Sequence, residues 1–187
     1  MRLVISPRLR GGSLFAAASL LIATAGLLVG CMPTQVVPPL ETAQTQYNYA
    51  YSAELGDIPP VHPGQLIKHR KKQRVKYEKV IERFPDDPVY TPEAIIAVSR
   101  MMGIEGRFKD IGRYLDKARP LYPNHDFFQA RALKLLGMAA DSRQKHEKAK
   151  EYYAECKDRY NLSRNPAVAQ IAAECNTLFY RAYINIR

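Results

Sequence analysis

A repeat of 38 residues governs most of this chain. The dipeptides Phe84-Pro85, Tyr122-Pro123 and Tyr160-Asn161 recur at that interval. Small or apolar residues return in the same register at four further points of each unit. These sets are Tyr77, Leu115 and Tyr153; Val80, Ala118 and Cys156; Ile95, Leu133 and Ile171; and Ser99, Gly137 and Cys175. A period of this length is the signature of tandem units that stack and share a continuous core.

Within each unit the apolar spacing is helical. Phe108, Ile111, Leu115 and Ala118 lie three or four positions apart, as expected for one face of an amphipathic helix. The spacing and the breaks between apolar runs predict an all-α fold. The predicted helices are 64–84, 92–103, 107–121, 125–140, 143–160 and 166–184.

Two of the predicted helices begin with a capping side chain before a proline. Thr91 precedes Pro92, and Asn165 precedes Pro166. Proline is favoured at the first helical position because its missing N–H has no partner there in any case.

The repeat resembles the tetratricopeptide repeat family. That family has small residues at fixed points of its two helices and a proline after the second helix. Ser99, Ala118 and Pro123 have those spacings, whereas Ile111 and Asn161 depart from the pattern. The period also exceeds the family's usual value of roughly 34 residues. The resemblance implies a right-handed helical-repeat solenoid of about 2.5 repeats over residues 64–187.

The same resemblance implies a partner-binding groove. In such solenoids the first helix of each pair lines the concave face, which binds partners. The corresponding residues here are Ile96, Arg100, Arg131, Lys134, Met138, Asn176, Phe179 and Tyr180. This mixture of basic and apolar residues suits an amphipathic helix or an extended acidic segment of a protein partner. The alternative is that individual charges of this set are simply solvated.

Two cysteines fall at positions that the family packs together. The second helix of one unit lies against the first helix of the next, which implies a possible disulfide between Cys156 and Cys175. The alternative is two free thiols that fill small buried positions.

The N-terminal 30 residues are typical of an export signal. Arg2, Arg8 and Arg10 precede an apolar run from Ser13 to Leu28, without any acidic residue. The run ends in Leu-Val-Gly-Cys, which resembles the lipobox of bacterial lipoproteins. The resemblance implies cleavage before Cys31 and acylation of its new N-terminus, with chains such as palmitate that anchor the protein to a membrane. The alternative is an uncleaved signal anchor.

The sequence therefore divides into three segments. Residues 1–30 are the predicted signal peptide, 31–63 the lipidated cysteine and a proline-rich tether, and 64–187 the repeat domain. Prolines occur repeatedly along the tether and favour an extended chain. Three alternating tyrosines within it indicate a short strand, a docking patch or a short helix packed on the domain. They are Tyr47, Tyr49 and Tyr51.

The chain is basic. Removal of the signal takes away three arginines and no acids, so the formal net charge falls from +10 to +7. This charge favours anionic partners such as phospholipid head groups or acidic protein surfaces, and we expect no nucleic-acid partner. Six basic residues crowd the first predicted helix, where they either contact an anionic leaflet or form a solubilising face. They are Lys68, Arg70, Lys71, Lys72, Arg74 and Lys76.

The sequence carries no pattern of catalytic residues. The four histidines lack metal-ligand spacing, and no glycine-rich phosphate loop or Gly-x-Ser-x-Gly elbow occurs. We therefore expect no enzymatic activity, no metal and no cofactor.

A lipobox joined to a repeat domain resembles the periplasmic repeat lipoproteins of outer-membrane barrel assembly. The resemblance implies a non-catalytic adaptor at the periplasmic face of the outer membrane, with protein partners in an envelope complex. The chain is also similar to pilus-assembly pilot lipoproteins. The alternative function is therefore a pilus or secretion pilot, or a lipoprotein associated with peptidoglycan.

Overall fold

The computed structural model describes residues 37–186. This part of the chain forms seven α-helices and contains no strand, so the all-α prediction is confirmed. A short 3-10 helix, Arg119–Leu121, follows the fourth α-helix. The α-helices are α1 (Ala43–Gly56), α2 (Pro63–Arg83), α3 (Tyr90–Ile104), α4 (Phe108–Ala118), α5 (Asp126–Asp141), α6 (His146–Tyr160) and α7 (Pro166–Ile186). The predicted lipidation site, Cys31, lies outside the described residues.

The six predicted helices correspond to α2 through α7, with differences of two or three residues at four ends. One of these is the end of α7, at Ile186 instead of the predicted residue 184. Helix α6 begins three residues later than predicted because a turn with Gln144 at φ 58° precedes it. Helix α4 ends at Ala118, where Pro120 leads the chain into the 3-10 helix. Helix α3 begins two residues earlier than predicted, at Tyr90.

The cap predicted at Thr91 is not found. Instead, the Asp87 carboxylate accepts hydrogen bonds from the backbone N–H groups of Val89 and Tyr90, at 3.0 and 2.6 Å. Thr91 lies in the first turn and donates its hydroxyl to the Phe84 carbonyl. The cap predicted at Asn165 is present, because its side-chain oxygen accepts from the Ala167 N–H at 3.0 Å.

Helix α1 corrects the prediction of an extended tether over residues 31–63. Thr42 and Thr45 form a capping box at its start, with each side chain bonded to the other residue's backbone N–H. Its buried residues are Ala43, Gln46 and Ala50, and it packs against α2 and α3. The tyrosines of this segment thus belong to a helix on the domain, which was one of the alternatives.

The helices form two layers. Each helix packs against the next one in the chain, and α1 also contacts α3, α3 contacts α5, and α5 contacts α7. The odd-numbered helices therefore make a continuous layer, against which α2, α4 and α6 pack.

The 38-residue register marks the core between these layers. All twelve residues of the four repeated sets are buried. At one of these positions Gly137 allows the ring of Tyr153 to approach the α5 backbone directly. Within the described range, no helix has a long enough apolar stretch to cross a membrane.

Candidate functional site

A groove of about 720 Å³ runs across the odd-numbered layer, and we call it the inner groove. Helices α3 and α5 supply its floor, with α1 at one end and α7 at the other. Most of its lining is aromatic or aliphatic. The lining residues are Tyr47, Tyr51, Tyr77, Glu93, Ile96, Ala97, Arg100, Phe127, Arg131, Lys134, Leu135, Met138, Ala167, Gln170, Ile171 and Glu174.

Five of the eight predicted groove residues line the inner groove. They are Ile96, Arg100, Arg131, Lys134 and Met138, all from α3 and α5. The repeat register therefore predicts the correct face of these two helices.

The three predicted residues of α7 do not line the inner groove. Asn176 lies in a separate depression beside Asn161, Phe179 packs near Tyr153, and Tyr180 is exposed. The flank of α7 that abuts α5 faces the groove instead, through Gln170 and Glu174. The 38-residue register, extended from α5 to α7, selects the opposite flank of α7. It does so because α7 forms the end wall of the groove and is not part of its floor.

Each cation of the inner groove is bound to a carboxylate. Arg100 donates from Nη2 to both carboxylate oxygens of Glu54, at 2.7 and 2.9 Å. Arg131 Nη1 lies 2.5 Å from Glu93 Oε2, and Lys134 pairs with Glu174. The predicted basic groove is therefore corrected to one in which the charges are balanced.

The three ion pairs also join the helices of the inner layer in sequence. The Glu54–Arg100 pair connects α1 to α3, the Glu93–Arg131 pair connects α3 to α5, and the Lys134–Glu174 pair connects α5 to α7. The hydrogen bond from Lys134 lowers the pKa of Glu174 below its usual value. These charges thus hold the groove in shape, and a ligand carboxylate would have to displace one of them.

Tyrosines form the α1 end of the groove. The ring of Tyr47 lies 5.6 Å from the rings of both Tyr77 and Tyr90, and 6.2 Å from that of Tyr51. Tyr77 donates its hydroxyl to Glu54 at 2.8 Å. Burial raises the pKa of Tyr47 and, together with the Glu54 carboxylate, that of Tyr77, so both remain neutral at physiological pH.

Two partly exposed side chains offer contact area to a ligand. Tyr51 is 46% exposed at the α1 end, and Met138 is 44% exposed on α5. Phe127 adds an aromatic surface and carries the Arg131 guanidinium 4.9 Å above its ring. Aromatic and methionine side chains of this kind are enriched in protein interfaces.

None of the acidic or aromatic residues that line the groove was among the predicted groove residues. Glu54, Tyr47 and Tyr51 belong to α1, which was assigned to the tether. A helical signal for α1 was present: Thr42 is a capping residue, and Ala43, Tyr47, Ala50 and Glu54 follow at intervals of four, three and four.

Behind the groove, a disulfide joins α6 to α7. Cys156 and Cys175 are both fully buried, with their Cα atoms 6.2 Å apart. The structure thus brings together the two cysteines whose pairing the resemblance implies.

Three of the four histidines of the described region make hydrogen bonds within the fold. His62 and His125 cap α2 and α5 by accepting the N–H groups of Gly64 and Phe128, at 3.3 and 3.2 Å. His146 lies 2.6 Å from Asp141. Within residues 37–186, no three His, Cys, Asp or Glu side chains are grouped closely enough to hold a metal ion.

No family model, no curated protein and no solved structure matches this chain. A functional proposal therefore depends on the geometry of the inner groove.

Proposed function

We propose that this protein is a non-catalytic, lipid-anchored adaptor that binds a protein partner in outer-membrane or envelope-complex assembly. The observation that carries the proposal is the inner groove, a concave surface with aromatic and aliphatic lining and internally paired charges. Concave, mostly apolar clefts with a few polar groups are the usual form of a binding site.

The lining favours the apolar face of an amphipathic helix as the bound segment. Tyr51, Phe127 and Met138 provide the apolar contact area that a helix in a groove requires. The carboxylates already engage Arg100, Arg131 and Lys134, so acidic partner residues gain little there. The proposed partner segment is therefore less acidic than the sequence alone indicates.

The proposal includes a tetratricopeptide-like solenoid for α2 through α7. Two features support it: the 38-residue register coincides with buried positions in every unit, and the odd-numbered helices line one concave layer. Partner binding by this layer is the usual mode of helical-repeat solenoids.

The proposed location is the periplasmic face of the outer membrane, through acylated Cys31. The N-terminal sequence supports export and lipidation. The buried Cys156–Cys175 disulfide agrees with an oxidising compartment, because disulfides are rare in reducing ones.

A pull-down of the full-length protein from its native membranes in mild detergent tests the adaptor proposal. The variant is Met138→Glu, which puts an unpaired charge on the groove floor. The matched control is Leu162→Glu, which makes a similar change at a residue that is 90% exposed outside the groove. Alanine substitutions of the groove cations are less suitable, because they also remove bonds between helices.

We expect an envelope protein to copurify with the wild type and the Leu162→Glu control but not with Met138→Glu. Equal recovery by both variants would contradict the groove as the partner site. Recovery of a secretin or pilus subunit would favour the pilot alternative. Binding of purified sacculi without any protein partner, unchanged by Met138→Glu, would favour the peptidoglycan alternative.

A further inference from the structure

Helix α2 carries two kinds of basic residue. Arg70, Arg74 and Lys76 are largely turned into the structure. Arg74 Nε lies 2.9 Å from Glu105, Arg70 lies 3.7 Å from Glu54, and Lys76 lies over the Tyr49 ring and 4.0 Å from an Asp57 oxygen. These three cations fasten α2 to its neighbours and are not available to a partner.

Lys68, Lys71 and Lys72 are different. All three are exposed, and none has an ion pair within the described part of the chain. Ile67 and Val75 are exposed as well, and the spacing of the five residues places them on one face of the helix. We call these five residues the α2 face.

The loop before α2 adds two aliphatic side chains in full contact with solvent. Ile58 is 91% exposed and Val61 is 100% exposed. The nearby acids do not offset the lysines, because Glu54 pairs with Arg100 and Asp57 contacts Gln73 and Lys76. Exposed aliphatic residues and uncompensated lysines thus follow one another closely in the sequence, in the loop before α2 and on the α2 face.

We propose that the α2 face, together with Ile58 and Val61, docks on a membrane surface that contains anionic phospholipids. Lysines near such a surface attract the lipid phosphates, and aliphatic side chains enter the boundary between head groups and acyl chains. This inference rests on the membrane-anchoring part of the proposed function and is independent of the inner groove.

Lipid fits this surface better than a protein partner does. Protein interfaces are depleted in lysine and depend on aromatic or arginine anchors in pockets. The α2 face has three lysines and no aromatic or arginine residue.

The chain contains no tryptophan, so a single introduced tryptophan reports its own surroundings. We would place it at position 61 by Val61→Trp and, as the control, at position 162 by Leu162→Trp. Each full-length protein is incorporated into equimolar phosphatidylglycerol and phosphatidylcholine vesicles that contain brominated lipid as a quencher. Flotation of the vesicles reports the anchor separately from docking.

We expect the fluorescence emission of the tryptophan at position 61 to shift to shorter wavelength and to be quenched by the brominated lipid. The tryptophan at position 162 should keep the emission of a residue in water. Pure phosphatidylcholine vesicles should give weaker quenching at position 61. Flotation with equal quenching at both positions would overturn the docking proposal and leave the anchor intact. Absence of flotation by both proteins would overturn the anchor on which the proposal rests.

Charge-matched variants test the role of the three lysines. The substitutions Lys68→Gln, Lys71→Gln and Lys72→Gln together should weaken docking by about fivefold per lysine. The control replaces three exposed lysines elsewhere, Lys109→Gln, Lys117→Gln and Lys145→Gln, and should leave quenching unchanged. Equal effects of the two triple variants would overturn the assignment to the α2 face. Protection of the tryptophan at position 61 from water only after envelope proteins are added would also overturn the assignment. It would indicate a protein interface.

Discussion

Single residues control the contacts between helices in this fold, and Gly137 and Glu54 show this most clearly. Gly137 on α5 meets the buried ring of Tyr153 on α6. Glu54 on α1 accepts hydrogen bonds from Tyr77 on α2 and Arg100 on α3. The neighbours of position 137 therefore leave no room for a larger side chain, and those of position 54 require a negative charge.

Gly137→Ala should destabilise the protein by about 1–3 kcal/mol, the usual cost of overpacking a core. The added Cβ would lie 2.6 Å from Cδ1 of Tyr153, so α5 and α6 would have to move apart. The control is Gly112→Ala in α4, where no atom lies within 4 Å of the added Cβ. It should leave stability unchanged or raise it by up to about 1 kcal/mol. Urea unfolding of both variants measures the difference, and equal midpoints would contradict the close contact.

Glu54→Gln should destabilise the protein by about 1–3 kcal/mol, because it removes a charged acceptor shared by Tyr77 and Arg100. The control Glu151→Gln removes an exposed carboxylate paired with Lys148, which should cost less than about 0.5 kcal/mol. Thermal unfolding compares the two. Similar losses would show that Glu54 does not hold α1 on the domain.

Helices are fastened to one another by two kinds of bond, ion pairs along the inner layer and a disulfide between α6 and α7. The ion pairs are partly exposed, and the pKa of Glu174 in one of them is lowered, whereas the disulfide is buried and responds to reductant. The two kinds of bond are therefore tested under different conditions.

The Lys134–Glu174 pair should make stability fall at acid pH. The pKa of Glu174 is lowered in the folded protein, so its contribution is present above the unfolded pKa. That contribution is lost as pH falls through the lowered folded pKa, which means below about pH 4. The difference in unfolding free energy between wild type and Glu174→Gln should therefore be present at neutral pH and vanish in acid. The control Glu147→Gln removes a 70% exposed carboxylate and should show little difference at either pH. A pH-independent difference for Glu174→Gln would contradict this assignment.

Replacement of both bonded cysteines, Cys156→Ala with Cys175→Ala, should lower stability by about 2–4 kcal/mol under oxidising conditions. The bond closes a loop with a sequence separation of 19 residues and so restricts the unfolded chain. Reductant should lower the unfolding midpoint of the wild type and leave that of the variant unchanged. A wild-type midpoint that does not respond to reductant would mean that the bond does not form.

At the scale of the whole molecule, the repeat explains why most of the fold was predictable. Buried residues recur every 38 positions, so the sequence shows α2 through α7 and the groove-facing sides of α3 and α5. Helix α1 was missed because its buried face consists of the small or polar residues Ala43, Gln46 and Ala50, so its helical spacing was obscured by weak apolar contrast and by the proline-rich segments on either side.

The chemistry of the groove was less predictable than its position. The charge balance depends on Glu54, which belongs to the missed helix, and on Glu174, which lies on the flank of α7 that the register does not select. Pairing between distant helices is a tertiary feature, and no local pattern in the sequence records it.

Site-specific photocrosslinking in native membranes tests whether a protein partner occupies the inner groove. A photoreactive benzoylphenylalanine replaces Met138 on the groove floor in the full-length chain, and Leu162 outside the groove in the control. We expect a discrete adduct with one envelope protein from position 138 and none from position 162. No adduct from position 138, or the same adduct from both positions, would contradict this expectation.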